Sequence, residues 1–118
     1  MAVTRINRKN LLQILNGKTS GTHEVVIKFY GSNCHLCHNL KYRYMDISGD
    51  YRDIHFYAFN MQDGEGLENK YGFNGVPTIC YVRTGPRPIV KFMKEPKNPH
   101  KETWYPPASI RTFIDANR

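Results

Sequence analysis

The sequence lacks any long apolar run and any low-complexity tract. Its longest strictly aliphatic stretch is Val25–Ile27, far below the roughly 20 apolar residues that a membrane-spanning helix needs. The segment MAVTRINRKN, at the start, is polar and basic and has no apolar core of a secretory signal. We therefore expect a protein that has no membrane span and works in the cytoplasm.

Cysteine and acidic residues are scarce as well. The chain has 3 cysteines, and it has 10 Asp and Glu against 17 Lys and Arg, a formal net charge of +7. In a reducing compartment, closely spaced cysteines are more often redox or metal groups than structural cross-links. The positive charge attracts anions, but the basic residues are scattered. We therefore expect acidic protein partners rather than nucleic acid.

The order of predicted elements indicates an α/β protein. The 118 residues are the usual size of one domain, and we predict a single monomeric domain over residues 1–118. β-branched and aromatic runs bounded by Gly and Pro predict strands, and apolar residues at helical spacing predict helices. We expect a central mixed sheet with helices on both faces. The predicted strands are 23–31, 53–59, 74–82 and 88–93. The predicted helices are a short one capped by Asn7, one with the apolar residues Leu40, Tyr44, Met45 and Ile47 that closes at Gly49-Asp50, a short one with Leu67 and Tyr71, and a last one with Ile110, Phe113 and Ile114.

The densest group of reactive side chains is Cys34-His35-Leu36-Cys37-His38. The spacing Cys-x-x-Cys-His is compatible with covalent haem attachment, although such haem domains are helical and this motif follows a strand. Two Cys and two His are also acceptable zinc ligands. However, four ligands on one helical turn cannot all reach one tetrahedral metal, and Cys80 is not accompanied by a histidine.

A dithiol that cycles with a disulfide is the third interpretation of this motif. Where a strand ends and a helix begins at Cys-x-x-Cys, the first sulfur lies beyond the helix amino terminus. Unpaired backbone N–H groups and the helix dipole favour a thiolate there. The second cysteine lies one turn deeper and within bonding reach of the first, as thiol–disulfide exchange requires.

Two separated motifs resemble the thioredoxin family. The stretch VVIKFYGSNCHLC is similar to the family's strand and active-site loop. About forty residues later, KYGFNGVPTICYVRTG is similar to its Lys-Tyr-Gly, Gly-Ile-Pro-Thr and glycine-ended strand, and FIDAN resembles the last helix. The resemblance is strong over about residues 23–94 and looser at both ends. It implies the thioredoxin fold.

The resemblance also implies a role for each matching residue. Cys34 is expected to be the nucleophile that forms a mixed disulfide with a target protein, and Cys37 the residue that resolves it. Pro77 is expected to follow a cis peptide bond and to face the dithiol. The backbone of Val76 is expected to pair with the substrate chain, with Gly75 shaping the same wall.

The chain departs from the family at several of these positions. Asn33 replaces the tryptophan that usually precedes the first cysteine, and His35 and Leu36 replace the usual Gly-Pro pair. Lys28 stands where the family has a buried aspartate; it either points at Cys37 or turns to solvent. Cationic His35 and Lys28 side chains favour thiolates, so we expect a more oxidising protein than ordinary thioredoxins, whose potential is about −270 mV.

We therefore predict a thiol–disulfide oxidoreductase that acts on disulfide-containing proteins. It is expected to need no metal or organic cofactor beyond the Cys34–Cys37 pair, and to receive electrons from a reductase or from small thiols. One alternative is a glutathione-dependent, glutaredoxin-like enzyme, although the Gly-Gly pair typical of that family is missing. The other is a thioredoxin-fold binding or processivity module in which the thiols are incidental.

Overall fold

The structure is a computed structural model that describes residues 3–118. Its centre is a mixed five-stranded sheet in the order β1-β3-β2-β4-β5. Strands β1, β3 and β2 are parallel, and β4 and β5 are each antiparallel to the preceding strand in that order. The strands are β1 (Val3–Arg5), β2 (Glu24–Tyr30), β3 (Ile54–Asn60), β4 (Thr78–Arg83) and β5 (Ile89–Phe92); the helices are α1 (Arg8–Leu15), α2 (His35–Gly49), α3 (Leu67–Tyr71) and α4 (Pro107–Asn117).

Helices cover both faces of this sheet, as predicted. Side chains of β2 alternate between two apolar clusters because successive residues of a strand point to opposite faces. Val26 packs with Leu40 of α2 and Ile110 of α4 in one cluster. Ile27 packs on the other face with Leu11 of α1. The central strand is therefore buried on both sides, which explains its nearly continuous apolar sequence.

The helix boundaries follow local capping chemistry. The side chain of Asn7 accepts a hydrogen bond from the Asn10 backbone N–H at 2.8 Å, which caps α1 as predicted. Helix α3 ends at Tyr71, and the C-cap residue Gly72 adopts the left-handed conformation with φ of 73°. Helix α2 ends at Gly49, and Asp50 is its C-cap, so the helix closes at the Gly49-Asp50 pair as predicted. Its Met45 side chain is exposed rather than part of the apolar face.

Two parts of the chain differ from the sequence-based description. Strand β1 was not predicted, and it pairs with the outer edge of β3. The position of the proline-rich segment 95–107 in the fold does not follow from the sequence. It lies against the α2 and α4 face, where Tyr105 is fully buried in the cluster and Trp104 packs partly against it. The side-chain amide of Asn39 on α2 donates to the Glu102 carbonyl at 2.8 Å, which ties this segment to α2.

Candidate active site

The first cysteine of the motif lies at the amino terminus of α2. Cys34 is the N-cap residue, with extended backbone angles, and the helix begins at His35. The backbone N–H of Cys37 donates to Cys34 Sγ at 3.1 Å, so the sulfur takes the place of the oxygen of an ordinary capping side chain. The unpaired N–H groups of the first turn and the helix dipole therefore favour negative charge on this sulfur when it is reduced.

Cys34 and Cys37 form a disulfide in the structure, with their Cα atoms 5.2 Å apart. Cys34 is partly exposed, whereas Cys37 is 3% exposed. The accessible sulfur is thus the one at the helix terminus, and its partner lies inside the first turn. Of the two sulfurs, Cys34 Sγ is therefore the one that an external disulfide can reach.

The loop before β4 forms the wall opposite this disulfide. The Val76–Pro77 peptide bond is cis, as predicted. Cys34 Sγ lies 3.9 Å from the Val76 carbonyl oxygen. A Cβ placed on Gly31 would lie 3.4 Å from Val76 Cγ2 and 3.6 Å from Cys34 Cβ. The loop after β2 therefore lies next to both the disulfide and the loop before β4. The two motifs that resemble the thioredoxin family therefore meet in space.

Hydrogen bonds outside the motifs hold this wall in place. Gly75 has φ of 77°, a conformation that glycine adopts readily. Its backbone N–H donates to the Glu68 carboxylate of α3, and its carbonyl oxygen accepts from the Thr78 hydroxyl at 2.8 Å. Glu68 was not identified from the sequence, because the turn that brings α3 back to Gly75 depends on backbone angles rather than on a motif.

Lys28 lies inside the protein, on the same face of the sheet as α2. It is 5% exposed, and both it and Cys37 line one cavity. Its ammonium nitrogen lies 5.1 Å from the centre of the Tyr44 ring and 5.7 Å from that of Tyr30. Of the two orientations considered for Lys28, the structure therefore has the one directed to the interior.

The surroundings of Lys28 disfavour its charged form. Burial first, and then repulsion from Lys41 and Arg5, lower its pKa from 10.5 to about 8. A lysine with such a pKa is mostly protonated near neutral pH and mostly neutral in mild alkali. It is therefore a group that changes charge close to a redox sulfur.

The remaining side chains of the motif are more peripheral. His35 is exposed and Leu36 is half-buried at the start of α2. His38 is exposed, with its Nε2 atom 3.3 Å from the Ser32 carbonyl oxygen. Cys80 is fully buried in β4, and burial raises the pKa of its thiol. Cys80 is thus a small apolar residue of the core.

Residues 3–118 contain neither a metal-binding cluster nor a membrane-spanning helix. Across residues 3–118, no group of three or more His, Cys, Asp or Glu side chains is arranged to hold a metal ion. In the same residues, no helix has the length and apolar character that crossing a membrane requires. That no metal or organic cofactor is needed stays a prediction.

A mixed sheet with a dithiol at a helix amino terminus, facing a cis-proline, defines the class of thioredoxin-fold proteins with a thiol–disulfide oxidoreductase-like site. The comparison with protein families agrees. The Thioredoxin family model matches residues 3–101 of the 118-residue chain. The chain therefore belongs to the thioredoxin family. The search of curated proteins finds no match.

Proposed function

We propose that the protein exchanges disulfides with protein substrates through Cys34 and Cys37. The observation that carries this proposal is the position of the Cys34 sulfur. It caps α2, it is bonded to a buried second cysteine, and it lies 3.9 Å from the Val76 carbonyl oxygen. An accessible nucleophile next to a buried resolving thiol is the arrangement that thiol–disulfide exchange requires.

The reaction begins with the reduced pair. The Cys34 thiolate attacks one sulfur of a substrate disulfide, a bond forms between the two sulfurs, and the second substrate sulfur leaves as a thiolate and takes up a proton. Cys37, deprotonated, then attacks Cys34 Sγ. The Cys34–Cys37 disulfide forms, and the first substrate sulfur leaves as a thiolate. Two electrons have passed from the dithiol to the substrate, and a reductase or small thiols return them.

We assign the substrate-binding wall to Gly75, Val76 and Pro77. The Val76 carbonyl oxygen is a backbone acceptor 3.9 Å from the attacking sulfur, suitable for an N–H group of an extended substrate chain. The hydrogen bonds of Gly75 with Glu68 and Thr78 support this role because they fix the loop that presents the carbonyl.

We further propose that Lys28, His35 and Leu36 set the reduction potential. A cation stabilises a thiolate and so favours the reduced pair. Lys28 shares a cavity with Cys37, and His35 directly follows Cys34. Leu36 is half-buried between the two cysteines, at the position that separates them in the first turn. Together these residues support a less negative potential than the roughly −270 mV of thioredoxin.

We propose that the protein works as a monomer in the cytoplasm, where small thiols and reductases are present. No metal or organic cofactor takes part in the steps above. The replacement of tryptophan by Asn33 changes the surface next to Cys34, so we expect a standard thioredoxin reductase to act on it poorly.

The test is reduction of insulin disulfides, first with dithiothreitol as electron donor and then with a thioredoxin reductase. We expect activity with dithiothreitol that is lost in Cys34→Ser. In Cys37→Ser, the mixed disulfide with insulin is expected to accumulate because the resolving thiol is missing. Cys80→Ser is the matched control and is expected to retain activity.

Two results would contradict the proposal. One is insulin reduction no faster than with dithiothreitol alone. The other is a Cys34→Ser, Cys37→Ser double variant that keeps the protein's biological effect, since a binding module would behave in that way. If glutathione and glutathione reductase support turnover much better than dithiothreitol does, the enzyme is glutaredoxin-like instead.

A further inference from the structure

A cavity of about 480 Å³ lies between the carboxyl ends of β1 and β2 and the first turns of α2. Its size falls within the range of about 300 to 1,000 Å³ that is usual for small-molecule sites. Four basic side chains line it, and among its lining residues within 3–118 there is no Asp or Glu. The basic residues are Arg5, Lys28, His38 and Lys41.

The cations of this cavity have no acidic partners in the part of the chain that the structure describes. All three ion pairs in residues 3–118 involve Arg111 or Arg118, which belong to the other end of the molecule. Lys28, although 5% exposed, makes neither an ion pair nor a hydrogen bond with any described residue through its amine. The Lys28 ammonium group lies over the rings of Tyr30 and Tyr44 and faces a cavity with no carboxylate among its lining residues, so an anionic ligand is the partner that this cavity lacks.

The rest of the lining suits an organic molecule rather than a bare ion. The rings of Tyr30 and Tyr44 and the side chain of Met45 supply apolar surface. Asn60 donates to the Ser32 hydroxyl at 3.0 Å, and both side chains also line the cavity, which gives it fixed polar groups. Pockets of this kind combine apolar walls with a few converging polar groups that orient the ligand.

We propose that this cavity binds a small organic molecule with a phosphate or carboxylate group, and that the group is held by Lys28, Lys41 and Arg5. An oxyanion there relieves the mutual repulsion of the three cations and accepts charge-assisted hydrogen bonds from them. Burial first, and then repulsion from Lys41 and Arg5, lower the pKa of Lys28, so both neighbours act on its charge. The apolar part of the ligand lies against Tyr30 and Met45.

The site is distinct from the wall to which protein substrates are assigned. Gly75, Val76 and Pro77 are absent from its lining, whereas Cys37 is one of its members. The ligand therefore occupies the side of the disulfide that is turned away from a protein substrate. Binding needs no turnover and can be measured on the oxidised protein, so this proposal and the proposed function can fail separately.

The test is titration of the ¹⁵N-labelled oxidised protein with phenyl phosphate and, separately, with benzoate, at constant ionic strength. We expect saturable amide shifts confined to β1, the carboxyl ends of β2 and β3, the loop 31–34 and the first turns of α2. Lys28→Met is expected to weaken binding about tenfold, because a charge-assisted hydrogen bond is lost. Lys70→Met removes an exposed lysine of α3, outside the cavity, and is expected to bind as the wild type does.

The two ligands distinguish the anionic group, since the tighter of them shows whether phosphate or carboxylate is preferred. Lys41→Met, at an exposed position, is the second variant should Lys28→Met fail to fold, and a several-fold loss of affinity is expected. Three results would overturn the proposal: no saturable shifts with either ligand, shifts centred on the lysines of 91–101, or an equal loss of affinity in Lys70→Met.

Discussion

The ammonium nitrogen of Lys28 lies 5.1 Å from the centre of the Tyr44 ring, inside the layer between the sheet and α2. Tyr44 is fully buried, and its hydroxyl donates to the Tyr57 carbonyl at 2.7 Å, with the Val26 carbonyl at 3.2 Å. The hydroxyl is therefore bonded to the sheet, and the faces of the Tyr44 and Tyr30 rings lie next to the lysine charge. A thioredoxin-family protein thus carries a weakly compensated cation where the resemblance predicts a buried carboxylate.

The stability of the protein is expected to depend on the charge of Lys28. Its folded-state pKa of about 8 lies below the unfolded value of 10.5, so the unfolded chain binds more protons between these values. The free energy of unfolding contributed by Lys28 therefore rises with pH across this window, by at most about 3 kcal/mol. Tyr44 stays neutral there because burial raises its pKa well above 10.0.

The measurement is urea unfolding of the oxidised protein and of oxidised Lys28→Met at a series of pH values. We expect Lys28→Met to be the more stable protein near neutral pH, and its advantage to shrink as the pH passes from about 8 towards 10.5. Lys41 and His38, which line the same cavity, are present in both proteins, so their contributions to the difference largely cancel. An advantage that does not change with pH would contradict the assigned environment.

The reduction potential is expected to fall when Lys28 loses its charge. The cation favours the thiolate form of the reduced pair, so Lys28→Met is expected to have a more negative potential. A tenfold change in the equilibrium with glutathione corresponds to about 30 mV. Equilibration with glutathione redox buffers measures this, and Lys70→Met is the control. A wild-type potential at or below about −270 mV would contradict the oxidising character.

The main elements of the fold were predictable because their signals are local. The strand before the cysteines, the helix after them and the strand entered through Pro77 are marked by apolar runs and by Gly or Pro boundaries. Strand β1 has three residues, of which only Val3 is apolar, so no periodicity identifies it. Arg5 was therefore missed as a neighbour of the cysteine site. It reaches the site only because β1 pairs with β3.

The direction of Lys28 was left open in the sequence-based description, although the fold decides it. A central strand with helices on both faces has no side that points to solvent. Once β2 is placed between β3 and β4, Lys28 is enclosed whichever way it turns. Alternation then puts it with Val26 and Tyr30, on the α2 side. The tertiary arrangement, rather than the local sequence, determines its environment.

Loss of the Glu68 carboxylate is expected to impair reaction with proteins more than reaction with small thiols. Glu68 accepts the Gly75 N–H and so fixes the loop that presents the Val76 carbonyl. In Glu68→Ala, we expect a several-fold lower kcat/KM for insulin, with an unchanged reduction potential and unchanged reactivity with dithiothreitol. Glu65→Ala, in the nearby turn, is the control. An equal effect on both reactions would indicate general damage to the fold.

Removal of the Tyr44 hydroxyl is expected to destabilise the sheet layer. In Tyr44→Phe, the carbonyl oxygen of Tyr57 loses its hydrogen bond from α2, and the loss of a buried hydrogen bond costs about 1 to 2 kcal/mol. Urea unfolding of the oxidised protein measures this change. Tyr42→Phe, at an exposed position of the same helix, is the control and is expected to leave stability unchanged. If Tyr44→Phe were as stable as the wild type, solvent would have to replace the hydroxyl as the hydrogen-bond donor.

The Cys80 thiol is expected to be unreactive in the folded protein and to react like any exposed cysteine thiol in the unfolded protein. It is 0% exposed in β4, and burial alone raises the pKa of its thiol. Since alkylation needs an accessible thiolate, iodoacetamide is expected to label Cys34 rapidly in the reduced native protein, Cys37 more slowly, and Cys80 only after denaturation. Peptide mass spectrometry of samples quenched over time measures the three rates. Rapid native labelling of Cys80 would show that β4 opens, and would remove the basis for treating the Cys34–Cys37 pair as the only reactive thiols of the described fold.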